Sequence, residues 1–217
     1  MTNFTDSDPH KEAQIFYKGK SIESSGQVMI MIHGRGASAA DILSLAVEIN
    51  NNEFTYIAPQ ANGFSWYPNS FLSPIESNEP FLSSSLNLLK DIVKNVLKKG
   101  IQTDKIFLLG FSQGACLTLE FAAKNPKSYG GVFALSGGLI GPSIEIQNYS
   151  GSFEGCRTFL GCSDIDPHIP IERVNESAGI FKRMNADVEI RIYKEMGHTI
   201  NKDEIDYIKS IVNETGK

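Results

Sequence analysis

The sequence predicts a single α/β domain, built on a mostly parallel sheet with helices on both faces. Three observations predict it. Apolar runs suited to strands buried on both faces alternate along the chain with segments of helical period. The 217 residues, 41% of them hydrophobic, suffice for one substantial core but not for two ordinary domains. No repeat, low-complexity tract or linker interrupts the alternation.

Residues 1–12 are polar and expected to be loose, which leaves 13–217 as the domain. Val28 to Ile32 is an uninterrupted apolar run that stops at His33-Gly34, a strand of the parallel, fully buried kind. Ala39 to Asn50 places Ile42, Leu45, Ala46 and Ile49 on one helical face. Thr55 to Ala58 is β-prone and closed by Pro59. The segment 61–80 is the longest irregular one, and long ordered loops in such folds often carry function.

Ser83 to Lys99 reads as a helix with serines to cap its start and Gly100 to end it. Ile106 to Leu109 is a second buried-type strand, Gln113 to Lys124 a helix, and Gly131 to Leu135 and Thr158 to Leu160 further strands. Ile171 to Met184 is helical, Val188 to Tyr193 alternates like a strand, and Asn201 to Val212 closes the chain. That last helix carries Glu204 three residues after Asn201, a variant of the capping box.

Composition narrows the function classes. A net charge of -5 and a pI near 5.4 leave no basic surplus for nucleic acid or anionic lipid. No run of about 18 apolar residues exists, so no membrane span is expected. The N-terminus has neither a basic start nor an apolar core, so no secretory signal is expected. Cys116, Cys156 and Cys162 have no metal-ligand spacing and make no even disulfide set, which fits a reducing cytoplasm.

Chemistry concentrates in four places. Gly110-Phe111-Ser112-Gln113-Gly114 matches G-x-S-x-G, which needs a serine on a sharp strand-to-helix turn with small residues two positions to either side. The five letters alone are a weak signal; a strand entering and a helix leaving make it specific. The Gln113 N–H would open that helix, where free donors and the dipole favour an oxyanion. Ala134-Leu135-Ser136-Gly137-Gly138 has a related form but no helix after it, so Ser136 reads as structural.

His33-Gly34-Arg35-Gly36 follows the first buried strand, where the Arg35 N–H would be the second oxyanion donor. His33 reads as a buried residue that orients this loop. The Arg35 side chain either lies at the site mouth or folds back into an ion pair. Two aspartates, Asp164 and Asp166, compete to orient a histidine after the Thr158–Leu160 strand. Asp166 is favoured because Pro167 would stiffen its loop. His168 sits too close to the acid to be the base but can line the pocket. Met196-Gly197-His198 then supplies an imidazole of the type that is neutral near pH 7 and can take the serine proton. Serine, aspartate and histidine follow one another in the order α/β-hydrolases use.

His-Gly-x-Gly, Gly-Phe-Ser-Gln-Gly-Ala, Asp-Pro-x-x-Pro and Gly-His together resemble the phospholipase/carboxylesterase family of α/β-hydrolases, which includes the acyl-protein thioesterases. The resemblance runs from about Val28 to the end. It implies hydrolysis of an ester or thioester by Ser112, Asp166 and His198, with the Arg35 and Gln113 amides as oxyanion donors. It also implies no metal and no organic cofactor, and it alone suggests a homodimer.

Two departures point toward small soluble esters. Arg35 stands where the thioesterase members tend to carry an apolar residue, and the stretch 60–68 is unlike their acyl-groove loops. Phe64, Trp66 and Tyr67 either wall the substrate pocket or pack under the loop, and with His33 and His168 they are the candidate substrate-contacting residues. Only about 20 residues separate Ser136 from the acid-bearing strand, so no large cap is expected. The competing readings are a thioesterase or lysophospholipase, an acyltransferase or perhydrolase, a non-catalytic binding member, and, more distantly, a dienelactone-type hydrolase.

Overall fold

The computed structural model describes residues 8–214. Its centre is a seven-stranded sheet of β1 (Ile15–Gly19), β2 (Gln27–Ile32), β3 (Phe54–Pro59), β4 (Ile106–Phe111), β5 (Gly131–Leu135), β6 (Arg157–Ser163) and β7 (Asp187–Tyr193). The spatial order is β1-β3-β2-β4-β5-β6-β7, and every pair is parallel except β1 with β3. The helices are α1 (Ala39–Ile49), α2 (Phe81–Lys98), α3 (Gln113–Lys124), α4 (Ile171–Arg183) and α5 (Lys202–Glu214).

Side-chain alternation along the strands divides the core into two layers. Val28, Ile30 and Ile32 of β2, with Leu108 and Val132, meet α2, α3 and α4. Met29 and Met31, with Phe107, Leu109 and Phe133, meet α1 and α5. An unbroken apolar run is therefore required in β2: both of its faces are covered. Among the described residues no cap domain interrupts the segment between β5 and β6, and no helix is long and apolar enough to cross a membrane.

Three features differ from the sequence reading. Strand β1 carried no buried-strand signal because it is an antiparallel edge, half-burying only Ile15 and exposing Phe16 and Tyr17. Helix α2 starts at Phe81, with no side-chain cap from its N-cap Pro80. The serines do other work there: Ser83 bonds Glu79, while Ser85 is buried and donates to the Trp66 carbonyl. Finally, of the start expected to be loose, residues 1–7 lie outside the described residues, and residues 8–12 are held in place. The buried His10 contacts the Trp66 carbonyl through Nε2, accepts from the Asn62 N–H at Nδ1, and donates its own N–H to Ser84. Burial holds its imidazole below the ordinary value. The Asn201–Glu204 capping box forms in both directions, each bond 2.9 Å long.

Candidate active site

The carboxyl ends of β2, β4, β6 and β7 point to one edge of the sheet, where open α/β folds place their ligands. Ser112 stands between β4 and α3 at φ 56°, ψ -121°, a left-handed backbone that a serine occupies only under constraint. The surroundings supply it. The Ser112 N–H bonds the Leu135 carbonyl of β5, and its carbonyl accepts from Cys116 to begin α3. A methyl group on Gly110 would lie 2.3 Å from the Gly114 carbonyl, and one on Gly114 would lie 2.2 Å from that of Ile32. Both glycines are therefore dictated by close approach of backbone to backbone.

Ser112 Oγ lies 2.8 Å from His198 Nε2, and His198 Nδ1 lies 2.7 Å from Asp166 Oδ2. The Asp166 side chain is wholly buried, and its second oxygen accepts the His168 and Ile169 N–H groups. Burial pushes this carboxyl up, but the bonds from His198 and the two amides outweigh it and hold the group below its ordinary value. Asp166 is thus an anion with its acceptor sites filled. Asp164 instead accepts the Glu195 N–H at 2.7 Å, which ties the acid loop to the loop after β7. The Gly197 N–H adds a second tie, to Ser163 Oγ.

The loop after β2 passes directly over the serine: a methyl group on Gly34 would lie 3.3 Å from Ser112 Cβ. Gly36 and Ala37 donate to the Phe64 and Gly34 carbonyls, setting the turn around the Arg35 peptide. The buried His33 contacts the Gly34 carbonyl through Nδ1 and accepts the Ala61 N–H at Nε2. That pattern requires one neutral tautomer, and burial lowers its pKa accordingly. His33 is a loop brace with no access to substrate.

The Arg35 side chain makes no ion pair among the described residues. Its guanidinium donates to the Tyr67, Pro68 and Asn69 carbonyls at 2.6–2.9 Å. Gln113 fastens the same segment, donating to the Tyr67 carbonyl and accepting the Trp66 N–H. Trp66 is fully buried, its indole N–H donating to the His33 carbonyl, so it supports the loop from beneath. Phe64 is 54% exposed and lies outside the cleft lining.

A cleft of about 420 Å³ opens over Ser112, lined by Arg35, Gln113, His198, Tyr67 and His168 of the predicted residues. The His168 ring meets the His198 ring edge-on, with centroids 4.8 Å apart. Asn69, Ser70, Phe71, Cys116 and Ile169 complete the walls and went unread in the sequence. Cys116 could have been found, since one helical turn after Ser112 faces the same way; the loop residues leave no periodic trace. Burial pushes the Cys116 thiol up to about 12, so it stays protonated and is no rival nucleophile. Ser136 shares the left-handed backbone but is fully buried, with its N–H on the Gly161 carbonyl and no helix behind it. No cluster of metal-binding side chains occurs among the described residues.

Sheet order, serine turn and cleft define an α/β-hydrolase. The model of the phospholipase/carboxylesterase family matches residues 18–215. The chain belongs to that family, and with it to the carboxylic ester hydrolases. A solved phospholipase/carboxylesterase from Dyadobacter fermentans is 41% identical and superposes with a TM-score of 0.90, over 93% of this chain and 96% of that one. Acyl-protein thioesterase 1 of Saccharomyces cerevisiae is 28% identical, covering 89% of this chain and 95% of that protein. Carboxylesterase SOBER1 of Arabidopsis thaliana is 24% identical, covering 84% and 87%.

Proposed function

We propose that the protein hydrolyses small carboxylic esters through an acyl-serine intermediate on Ser112. The observation that carries this reading is the series Ser112–His198–Asp166, joined at 2.8 and 2.7 Å at the mouth of an open cleft. His198 Nε2 takes the serine proton as Oγ attacks the acyl carbon, and Asp166 stabilises the imidazolium that forms. The Arg35 and Gln113 N–H groups stabilise the oxyanion; Gln113 opens α3, where N–H groups have no intrahelical acceptor. The alcohol leaves with the proton from His198, and water then attacks the acyl-enzyme through the same base.

The limited size of the cleft, about 420 Å³, favours short acyl groups. The kinship with acyl-protein thioesterases keeps a second reading open, deacylation of long-chain thioesters. A series of p-nitrophenyl esters of rising chain length separates the two, with short chains expected to win. Three unpaired cysteines support a reducing, cytoplasmic setting.

The direct test is labelling by a fluorophosphonate. Wild type should label and Ser112→Ala should not; an unlabelled wild-type protein would remove the serine-hydrolase mechanism.

A further inference from the structure

Arg35 differs from three of the other four arginines of the chain. Arg157, Arg173 and Arg191 each meet a carboxylate. Arg35 lines the cleft over Ser112, and among the described residues no carboxylate comes within ion-pair distance of it. Three of the five guanidinium N–H groups are held by the Tyr67, Pro68 and Asn69 carbonyls, and two stay available. These bonds fix the position of the guanidinium without cancelling its charge.

The rest of the lining contains no acid. Asn69, Ser70, Gln113 and His168 bring no carboxylate, and that of Asp166 is buried beneath and occupied by its own donors. In a chain of net charge -5, Arg35 sets a positive charge in a cleft whose lining holds no acid. The His168 ring nitrogens, on the acid loop across Ser112 from Arg35, bond no described residue and offer a further polar contact.

From this arrangement we infer that the cleft selects esters carrying a carboxylate within a few atoms of the scissile carbonyl. The inference rests on the ester-hydrolase reading above. The Arg35 amide is the donor to the carbonyl oxygen in that reading, so its side chain stands a few atoms from the reacting carbon. A monoester of a short dicarboxylic acid would place its free carboxylate against the guanidinium. Hydrolysis then yields the alcohol and the dicarboxylate, with water as the only co-reactant.

The test compares ethyl pentanoate with monoethyl glutarate, where a carboxylate replaces the terminal methyl, and with O-butyryl glycolate, where it lies on the alcohol side. Wild type should prefer at least one charged ester by about fivefold in kcat/KM, the upper end for a partly exposed ion pair. That preference should shrink by roughly half in 0.5 M NaCl, since salt screens such pairs. Arg35→Gln should abolish the ratio whatever it does to the neutral ester, and Arg35→Lys should restore part of it. Turnover of ethyl pentanoate with no charged ester favoured would overturn the inference and leave the hydrolase standing. So would a preference that survives Arg35→Gln. Absence of turnover on all three esters, with no fluorophosphonate labelling, would sink both. If Arg35→Gln fails to fold, the salt dependence in wild type still decides.

Discussion

Asp166 and Glu204 are both buried carboxylates on the C-terminal half of the sheet, and they meet opposite fates. Burial pushes each of them up. Asp166 receives an imidazole and two backbone N–H groups, and its pKa ends below the ordinary value. Glu204 receives the Asn201 N–H on one oxygen, while the other, against Gly161, has no partner; its carboxyl rises to about 7. The difference teaches that the number of donors, rather than depth, sets the charge on a buried acid. The site carboxylate is held ionised before any substrate arrives. The capping carboxylate is a fold element whose charge is a liability near neutral pH.

The largest effect should come from removing the charge at Asp166. Asp166→Asn keeps the shape but offers His198 an amide, so kcat on a short ester should drop on the order of a thousandfold or more. A residual rate above a tenth of wild type would break the contrast at its functional end.

Next, Gly161→Ala would place a methyl group 2.1 Å from Glu204 Oε1 and 2.9 Å from the Phe159 ring. It should cost about 2–3 kcal/mol in denaturant unfolding. Adding Glu204→Ala should return part of that loss, because the clash loses its nearer partner. Purely additive losses would show that the two residues do not press on each other.

Glu204→Gln tests the other half of the contrast through pH. A carboxyl whose folded pKa is raised binds more protons in the folded state. Its stabilising contribution is full below the unfolded value, here 4.5, and is lost as pH rises through about 7. At pH 8 the native protein therefore carries a cost that the amide lacks. The variant should be more stable than wild type by about 1–2 kcal/mol at pH 8, and the gap should close by pH 4. A gap independent of pH would place the effect in packing.

The smallest effect belongs to Asp164, whose carboxylate ties two loops and does not touch the histidine. Asp164→Asn should hold kcat within about threefold of wild type. A loss matching that of Asp166→Asn would mean that the acid loop needs both charges.

Legibility followed coverage. Strands β2, β4 and β5 lie inside the sheet with both faces covered, so each had to be written as a continuous apolar run. Strand β1 pairs on one side only and leaves Phe16 and Tyr17 to solvent, so its five residues look like any loop. The serine turn was legible for the same kind of reason. A Cβ at Gly110 or Gly114 would lie within 2.3 Å of a backbone oxygen, and no other residue type leaves that space. The aromatic stretch stayed ambiguous, because Trp66 could as well have faced substrate as supported the loop, and Tyr67 does line the cleft. Its side chain turned inward once His33, Ser85 and Gln113 were there to hold the segment.

By itself, then, the sequence determined the alternation of strands and helices, the turn at Ser112, and the chain order of serine, aspartate and histidine. Those follow from local rules: burial on two faces, close approach at glycine, and the chemistry each side chain can perform. Only the tertiary structure decided which aspartate meets the imidazole, where the Arg35 guanidinium lies, and that Glu204 is buried with an oxygen unpaired. Those outcomes depend on donors from segments tens of residues away. Asp166 and His198 are 32 residues apart, and nothing in the pattern of the intervening stretch says where their side chains meet. They come together because β6 and β7 lie side by side and end at the same edge of the sheet.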